Sequence, residues 1–423
     1  MTPSDRSHHY ILMIAYLFPP LGGSGAIRPL KLAKYLPDYG WIPVVHTVKN
    51  PDWYYARDPD LIRELPEDVV ITRSHMFKSS WIYSALNPLR SRVMDRFIRR
   101  FLLHPDSQVG WLPLACLTAL KLVKRYPIKA IYSTSGPLTN HLIAQFVKSR
   151  TGLPWVAEFR DEWLEDPALN LPTRHHYRMH YHLEQGIVRK ADRVVVMAPA
   201  FGDFLAKHVT DTEKFLWLPA GYDAAEFVMP QPSKQSTVFR LVFTGLFYNS
   251  FRPNSLLAAV NRLISQGDIP REKIRICFVG ANTIADLDVP DDYRVCEFTG
   301  FLSRVKALEQ LARADMALLL LSRERGSGVI PSKLFDYLAA GRPILALVPP
   351  EGAAAGLIRD TRAGEVVDFN DQAGIQSAVS RYFHQWLKDG RVLTETDPEV
   401  VQQYTLKSLV KTLADHLDQL ARK

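Results

Sequence analysis

Short apolar runs rich in β-branched and aromatic residues alternate along the chain with longer stretches in which apolar residues recur every three or four positions. The short runs predict strands, the longer stretches predict helices, and their alternation predicts parallel sheets with helical crossovers. The pattern occurs twice. The first set of predicted strands covers residues 10–17, 41–48, 69–73, 130–134, 155–159, 193–197 and 215–218. The second set covers residues 239–244, 274–279, 294–298, 316–321, 343–348 and 365–369.

A segment rich in Pro, Gly, Ser and Ala, residues 219–236, separates the two sets and is typical of an interdomain linker. We therefore predict an α/β protein of two domains, residues 1–235 and residues 236–400. Residues 401–423 are predicted to form a helix that packs back on the first domain. The apolar residues that share one face of this helix are Leu406, Val410, Leu413, Leu417 and Leu420.

The composition is that of a folded globular protein, because 47% of the 423 residues are hydrophobic and 23% are charged. The three cysteines, Cys116, Cys277 and Cys296, form neither a Cys-x-x-Cys pair nor a disulfide framework, which favours a reducing cytoplasm. The apolar run at residues 11–20 is too short to span a bilayer and contains a proline pair. We therefore expect no export or insertion signal.

The net charge favours an anionic partner, since the formal charge is +8 and the pI is near 9.2. Composition alone does not choose between nucleic acid, a phosphorylated small molecule and an anionic membrane. The sequence contains no motif of a DNA- or RNA-binding module, so we expect no nucleic-acid partner.

A glycine-rich loop, residues 22–25, follows the first predicted strand and precedes a predicted helix. Gly22, Gly23 and Gly25 let backbone amides approach an anion, and the helix N-terminus adds a partial positive charge. The loop is therefore a candidate diphosphate site, with a simple tight turn as an equally good explanation of the glycines. Its spacing is neither Gly-x-Gly-x-x-Gly nor a P-loop, which disfavours ordinary dinucleotide and NTPase sites.

Several motifs together resemble the bacterial family-4 retaining glycosyltransferases. They are Phe18-Pro19-Pro20 with Gly22-Gly23, Tyr35-Leu36 with Gly40-Trp41, Pro105-Asp106 with Gly110-Trp111, Phe159-Arg160-Asp161-Glu162-Trp163, Thr299-Gly300-Phe301-Leu302, and the block PSKLFDYLAAGRP at residues 331–343. The resemblance covers nearly the whole chain. It implies the GT-B fold, in which two Rossmann-like domains with parallel sheets face each other.

The last block is the most specific of these motifs. In the family, a carboxylate in this helix binds the nucleotide ribose and a lysine a few residues earlier neutralises the donor diphosphate, and the matching residues here are Asp336 and Lys333. A spacing of three places both on one helical face, and an ordinary ion pair between them is the alternative. The resemblance also implies donor contacts at Gly245, Gly300 and Ser332.

The sequence departs from the family pattern at three positions. Gly328 stands where members often carry a glutamate that contacts the donor sugar, and a backbone amide of the loop at residues 326–328 is the available substitute. Leu246 and Phe251 occupy positions that the family fills with arginine and lysine. Arg252 is the nearest cationic replacement, with a solvated loop arginine as the alternative.

Two further candidates belong to the ends of predicted strands. Phe301 matches the position whose backbone contacts the nucleotide base, with a core aromatic as the alternative. In the first domain, charged residues cluster at the carboxyl end of a predicted strand, where ligands bind in open α/β sheets. Because the cluster contains both signs of charge, it favours an acceptor or phosphate contact over a metal site. Within it we rank Asp161 as a catalytic candidate above His141, since a lone histidine is more often a packed residue. The cluster comprises Glu158, Arg160, Asp161 and Glu162.

The resemblance implies transfer of a sugar from a nucleoside diphosphate sugar to a hydroxyl acceptor with retention at the anomeric carbon. Negative charge gathers on the leaving diphosphate in the transition state, so fixed donors and cations there accelerate its departure. Lys333, Arg252 and the amides of residues 22–25 are the expected groups. We expect neither a metal nor another cofactor, since GT-B enzymes generally dispense with a bound divalent ion.

Residues 86–103 predict a basic amphipathic helix, with Phe77 and Trp81 just upstream. Such a helix can lie on an anionic bilayer, which suits a lipid-linked or cell-surface saccharide as the acceptor at the inner face of the plasma membrane. A core-packed helix with a solvated arginine face is the alternative. The arginines are Arg92, Arg96, Arg99 and Arg100, and the apolar residues are Val93, Met94, Phe97, Ile98, Phe101 and Leu102.

Two other functions fit the same architecture. A sugar-nucleotide 2-epimerase would isomerise the sugar without transferring it. A catalytically idle sugar-nucleotide-binding partner, which Gly328 and Leu246 make credible, would bind the donor without turnover.

Overall fold

The computed structural model describes residues 8–51, 55, 57–78, 92–164, 169–207, 209–227, 237–247, 252–280, 295–321 and 328–422. The chain divides into two compact units. The first unit consists of Met1–Leu218 together with Leu406–Lys423, and the second consists of Pro219–Thr405.

The first unit contains a seven-stranded parallel sheet in the order β3-β2-β1-β4-β5-β6-β7. Its strands are β1 (His9–Ile14), β2 (Trp41–Val48), β3 (Val70–Ser74), β4 (Ile128–Thr134), β5 (Trp155–Phe159), β6 (Arg193–Val196) and β7 (Phe215–Trp217). Its helices in this part of the chain are α1 (Ser24–Tyr35), α2 (Arg92–Phe101), α3 (Leu112–Arg125), α4 (Thr139–Thr151), α5 (Arg174–Lys190) and α6 (Pro199–Ala206). Short 3-10 helices lie at Leu36–Tyr39, Pro59–Glu64 and Val109–Trp111.

This sheet is buried on both faces, which explains why its strands are continuous apolar runs. In β1, Leu12 and Ile14 belong to the core on one face of the sheet, whereas Ile11 and Met13 belong to the core on the other. Side chains alternate between the faces of a strand, so both sets of alternate positions must be apolar.

The second unit contains a six-stranded parallel sheet in the order β10-β9-β8-β11-β12-β13. Its strands are β8 (Phe239–Thr244), β9 (Ile274–Val279), β10 (Cys296–Phe298), β11 (Met316–Leu320), β12 (Ile344–Leu347) and β13 (Gly364–Val367). Its helices are α7 (Asn254–Ser265), α8 (Arg304–Ala312), α9 (Ser332–Ala339), α10 (Ala353–Asp360), α11 (Gln372–Asp389) and α12 (Pro398–Gln402). Two 3-10 helices lie at Ala224–Glu226 and Arg271–Lys273.

Every predicted strand is present, with ends that differ by up to three residues. The largest difference is in β1, which ends at Ile14 and not at residue 17. The following residues lead into Pro19 and Pro20, which have no amide hydrogen to offer a sheet. Of the predicted strand at 294–298, residue 294 lies outside the described residues.

The boundary between the units differs from the predicted position near residue 235. The first unit ends at Leu218, and the segment beginning at Pro219 belongs to the second unit. The reason is a connection within the second unit: the amide of Tyr222 donates to the carbonyl of Tyr404 over 3.0 Å, and Tyr222 also forms a β-bridge with Thr405. The chain returns to the first unit after Thr405 and not after residue 400.

The last helix, α13 (Leu406–Ala421), belongs to the first unit. Its buried residues Leu413 and Leu417 join the core that contains Ile11 and Met13 of β1. Hydrogen bonds also attach it, because the Trp41 indole Nε1 donates to Asp418 Oδ1 over 2.8 Å. The helix therefore covers one face of the first sheet.

None of the helices in the described part of the chain has the length and apolarity that crossing a bilayer requires. The three cysteines are unpaired thiols.

Shortening a buried side chain of α13 should destabilise the protein. Leu417 is fully buried, so Leu417→Ala should lower the free energy of unfolding by about 2–5 kcal/mol through lost burial and an unfilled cavity. The exposed Gln419 on the same helix provides the control, and Gln419→Ala should change it by less than about 0.5 kcal/mol. Urea denaturation measures both, and equal effects would contradict the packing of this helix.

Candidate functional site

The second sheet has a topological switch point between β8 and β11, where the strand order reverses. In open α/β sheets, ligands bind at the carboxyl ends of the strands at such a point. Gly245 directly follows β8, and α9, which begins at Ser332 and carries Lys333 and Asp336, follows β11 along the chain. Gly245, Lys333 and Asp336 therefore follow the two strands that flank this switch point.

The Lys333 ammonium group lies against the end of β8. Its Nζ is 4.0 Å from the centroid of the Phe243 ring, a cation–π contact. A Cβ atom placed on Gly245 would lie 2.9 Å from the same Nζ, and the φ of Gly245 is +114°. A glycine is required here both for the backbone conformation and for the close approach of the lysine.

Lys333 carries its charge without a carboxylate counter-ion among the described residues. Burial lowers the pKa of Lys333 to about 8, and the nearby Asp336 opposes this shift. At neutral pH the group is therefore mainly protonated, and it is a desolvated cation at the edge of the sheet. Such a group attracts an anion strongly.

Asp336 does form an ion pair, but its partner is Arg304 at the start of α8, not Lys333. Arg304 Nη2 is 2.9 Å from Asp336 Oδ1 and Nη1 is 3.4 Å from Oδ2, which is a two-pronged contact. Arg304 Nε donates to Glu226 Oε2 over 2.7 Å. Burial raises the pKa of Asp336, and the charge of Arg304 opposes this. Arg304 belongs to none of the sequence motifs and was therefore not predicted as a site residue.

Tyr337, in the second half of α9, attaches this helix to the end of β8. Its hydroxyl oxygen accepts a hydrogen bond of 3.0 Å from the amide of Thr244, the last residue of β8. Burial raises the pKa of Tyr337 to about 12, so the phenol stays neutral. Because Tyr337 is fully buried, it holds the helix turn that carries Lys333 and Asp336 in a fixed place.

The other predicted site residues of the second unit differ in their exposure and backbone conformation. Phe301 is 85% exposed, so the alternative of a core aromatic is wrong. Gly300, just before it, has a φ of +68° and forms a β-bridge with Gly280. Arg252 is half-buried directly before α7, and Gly328 lies in a half-buried turn. The residues before Gly328, 326 and 327, lie outside the described part of the chain, as does Phe251.

The glycine loop of the first unit follows β1 and opens α1, as predicted. Gly23 is the N-cap residue of α1 with a φ of +84°, and no side chain caps the helix. A Cβ on Gly25 would lie 2.5 Å from Leu17 Cδ1, so a larger residue would require that leucine to move. A Cβ on Gly22 would meet Asp58 Cβ at 3.1 Å.

The half-buried Arg160, directly after β5, forms hydrogen bonds to this loop and to the loop after β4. Its Nη1 donates to the carbonyl of Gly25 over 2.7 Å, and its Nε donates to the carbonyl of Ser135 over 2.8 Å. Its Nη2 also donates to the carbonyl of Gly136 over 3.3 Å. The guanidinium is thus used to join the loops after β1, β4 and β5.

Glu158, another member of the predicted charged cluster, is fully buried and structural. Arg28 of α1 contacts it at 3.0 Å, and the Thr134 hydroxyl donates to it over 2.8 Å. Burial by itself raises the pKa of Glu158. The charge of Arg28 and the hydrogen bonds from Tyr132 and Thr134 more than offset this effect, so that the pKa is lowered. Of the cluster, Asp161 lies exposed in the loop after β5.

His141 is a packed histidine. It is fully buried on α4, and its Nδ1 is 2.8 Å from Ser133 Oγ, which also accepts from the Trp155 indole. Burial lowers the pKa of His141 to about 3, so the ring is neutral. His141 therefore packs in the core, which is the role expected when it was ranked below Asp161.

The apolar side of α2 is largely exposed. Val93 is 79% exposed, Phe97 49% and Met94 42%, whereas Ile98 is buried. The alternative of a helix whose apolar face is packed in the core therefore does not describe these residues. Of the predicted segment 86–103, residues 86–91 lie outside the described part, as do Trp81 and the side chains of Arg92, Arg96 and Arg99. The exposed Arg100 donates to Asn170 Oδ1 over 3.3 Å.

Residues 30–221 match the family model described as a glycosyl transferase 4-like domain. The chain is similar to a glycosyltransferase from Rickettsia africae ESF-5, with a TM-score of 0.61, 14% identity and coverage of 98% of this chain and 99% of that one. It is also similar to sucrose-phosphate synthase from Thermosynechococcus elongatus (TM-score 0.62, 15% identity, 98% and 99% covered). Anabaena HepE in complex with UDP-glucose is a third similar structure (TM-score 0.55, 14% identity, 98% of each chain covered).

No curated protein matches the chain in sequence. The structural similarities show the GT-B fold expected from the sequence. The family match covers residues 30–221, and the structural similarities extend over nearly the whole chain.

The charge of Lys333 should change near neutral pH. Because its pKa lies at about 8, the ammonium group should lose its proton as the pH rises from 7 to 9, well below the ordinary value of 10.5. Titration of the lysine ¹³Cε resonances by NMR measures this, and Lys333→Arg identifies the signal by its loss. A midpoint above 10 would mean that the amine is solvated and not packed against Gly245.

Proposed function

We propose that the protein is a retaining glycosyltransferase that moves a sugar from a nucleoside diphosphate sugar to a hydroxyl acceptor. The observation that carries this proposal is the unpaired Lys333 ammonium group, held against Gly245 at the switch point of the second sheet. Asp336 lies on the same face of α9, one turn further on. The spacing suits a ligand that offers a diphosphate to the lysine and ribose hydroxyls to the carboxylate. HepE, a similar structure, is known in complex with UDP-glucose.

The chemistry follows from charge. As the glycosidic bond to the diphosphate breaks, negative charge develops on the departing phosphate, and a desolvated cation stabilises that charge more than it stabilises the ground state. Lys333 supplies the cation. The amides at the start of α1, which follow Gly23 without a side-chain cap, are proposed as a further anion contact, and Arg252 as a further cation. Asp161, exposed after β5, is the proposed contact to the acceptor.

No metal is assigned to the reaction. Lys333 provides the positive charge that a divalent ion provides elsewhere at a leaving diphosphate. Transfer from the donor to the acceptor hydroxyl is therefore proposed to need no metal ion.

The acceptor is proposed to be a lipid-linked or cell-surface saccharide presented at an anionic membrane. The support is the exposed apolar side of α2 together with the four arginines that its sequence places around it. Val93 and Phe97 would enter the interface while the arginines meet anionic headgroups. This location would be the inner face of the plasma membrane.

Donor binding should depend on Lys333 and Asp336. A nucleoside diphosphate sugar that binds only the folded protein should raise the melting temperature of the parent, and Lys333→Ala or Asp336→Ala should reduce that rise to less than about half. Thermal-shift measurements across UDP-, GDP- and ADP-sugars test this. The exposed Lys388 on α11 supplies the matched control, and Lys388→Ala should keep the full rise.

The result also separates the rival functions. If both variants keep the rise, the assignment of the donor site is wrong. Sugar isomerisation without transfer would support the 2-epimerase, and binding without turnover in the presence of all acceptors would support the idle partner.

Membrane binding should depend on the arginines of α2. The protein should sediment with vesicles that contain anionic phospholipid, and Arg96→Glu with Arg99→Glu should release it, because each basic residue near such a surface contributes about 1 kcal/mol. Phe97→Asp should weaken binding through the apolar contribution. Lys388→Glu is the control for net charge. Unchanged sedimentation of the double variant would reject the membrane role of this helix.

A further inference from the structure

Arg304 occupies a position in the second unit that no motif assigns. Its side chain is 40% exposed, and it lies between two carboxylates that are themselves mostly buried, Asp336 on α9 and Glu226 on the 3-10 helix Ala224–Glu226. The two edges of its guanidinium are used differently. Nε contacts Glu226, whereas the two terminal nitrogens contact the two oxygens of Asp336.

This geometry fixes the orientation of the Asp336 carboxylate. A planar guanidinium that meets a carboxylate with two nitrogens sets the plane of the carboxylate as well as its distance. Glu226 in turn fixes the other edge of the guanidinium, so that Arg304 cannot rotate freely about its own side chain. Each carboxylate oxygen still has a lone pair for a second donor, because one oxygen accepts more than one hydrogen bond.

We propose that Arg304 is a positioning residue for donor binding, which holds the Asp336 carboxylate ionised and oriented to accept hydrogen bonds from the ribose hydroxyls. This inference rests on the function proposed above, since it requires that Asp336 binds the ribose. It adds a residue outside the sequence motifs on which the donor site depends.

The charges around Asp336 give the proposal a pH signature. Burial raises the pKa of Asp336, Arg304 lowers it, Glu226 from the facing 3-10 helix raises it, and Lys333 on the same helix lowers it. Removing the Arg304 charge takes away the strongest of the lowering contributions. Asp336 would then become protonated at higher pH, and ribose binding would be lost progressively as the pH falls through this raised value.

The experiment compares nucleoside diphosphates with inorganic pyrophosphate, which lacks both the ribose and the base. UDP, GDP and ADP all carry the ribose and the diphosphate, whereas inorganic pyrophosphate carries the phosphates alone. In the full-length protein at pH 7, Arg304→Gln should weaken binding of the best of the three nucleotides about tenfold, and it should leave pyrophosphate binding within about twofold. Isothermal titration calorimetry from pH 5 to 8 should show the acid loss of nucleotide affinity displaced to higher pH in the variant.

Two further variants control for charge and for folding. Arg304→Lys keeps the charge but not the two-pronged contact, so it should restore the pH profile and only part of the affinity. Arg381→Gln removes an exposed arginine that is paired with Glu365 on the same unit and should change neither ligand. Circular dichroism and melting temperature confirm that each variant is folded.

The outcomes separate this inference from the function on which it rests. If Asp336→Asn weakens nucleotide binding but Arg304→Gln does not, or if Arg304→Gln weakens pyrophosphate equally, the positioning role is wrong and the donor site stands. If Asp336→Asn leaves nucleotide binding unchanged, or if the parent binds none of the three nucleotides, the donor site itself is wrong and the role of Arg304 fails with it.

Discussion

The contact between the Lys333 ammonium group and the glycine backbone after β8 is the constraint on which the candidate donor site depends. A cation in that place is costly to bury, and the lowered pKa of Lys333 expresses that cost. The protein offsets only part of it, through the Phe243 ring and the more distant Asp336. An anionic ligand would supply the missing counter-charge and so offset more of the cost of burying this cation.

The charged residues of the first unit illustrate the opposite arrangement. Glu158 and Arg28 are buried together, and Arg160 is bonded to three backbone carbonyls, so these charges are largely satisfied by the protein itself. Buried charges of this kind specify one arrangement of the strand ends, because removing either partner leaves the other uncompensated. They therefore shape the glycine loop after β1.

The sequence was sufficient for the strands because both sheets are buried on two faces, which makes each strand a continuous apolar run with turn residues at its ends. It was also sufficient to place Lys333 and Asp336 on one face of the same helix, since a helix relates residues three apart by local geometry. It did not reveal Arg304, whose contacts with Glu226 and Asp336 join residues 78 and 32 positions away. Nor did it predict the boundary between the two units. The hydrogen bond between Tyr222 and Tyr404, which connects the start of the second unit to its end, also joins residues that are far apart in the sequence.

The position of α13 has a consequence for synthesis. The second unit is an insertion in the chain of the first, and its two ends are paired at Tyr222 and Thr405. During translation the whole second unit is therefore synthesised before α13, the helix that covers one face of the first sheet. The apolar residues of β1 on that face gain this cover only after the second unit has been made, so the core of the first unit depends on residues from both sides of the insertion.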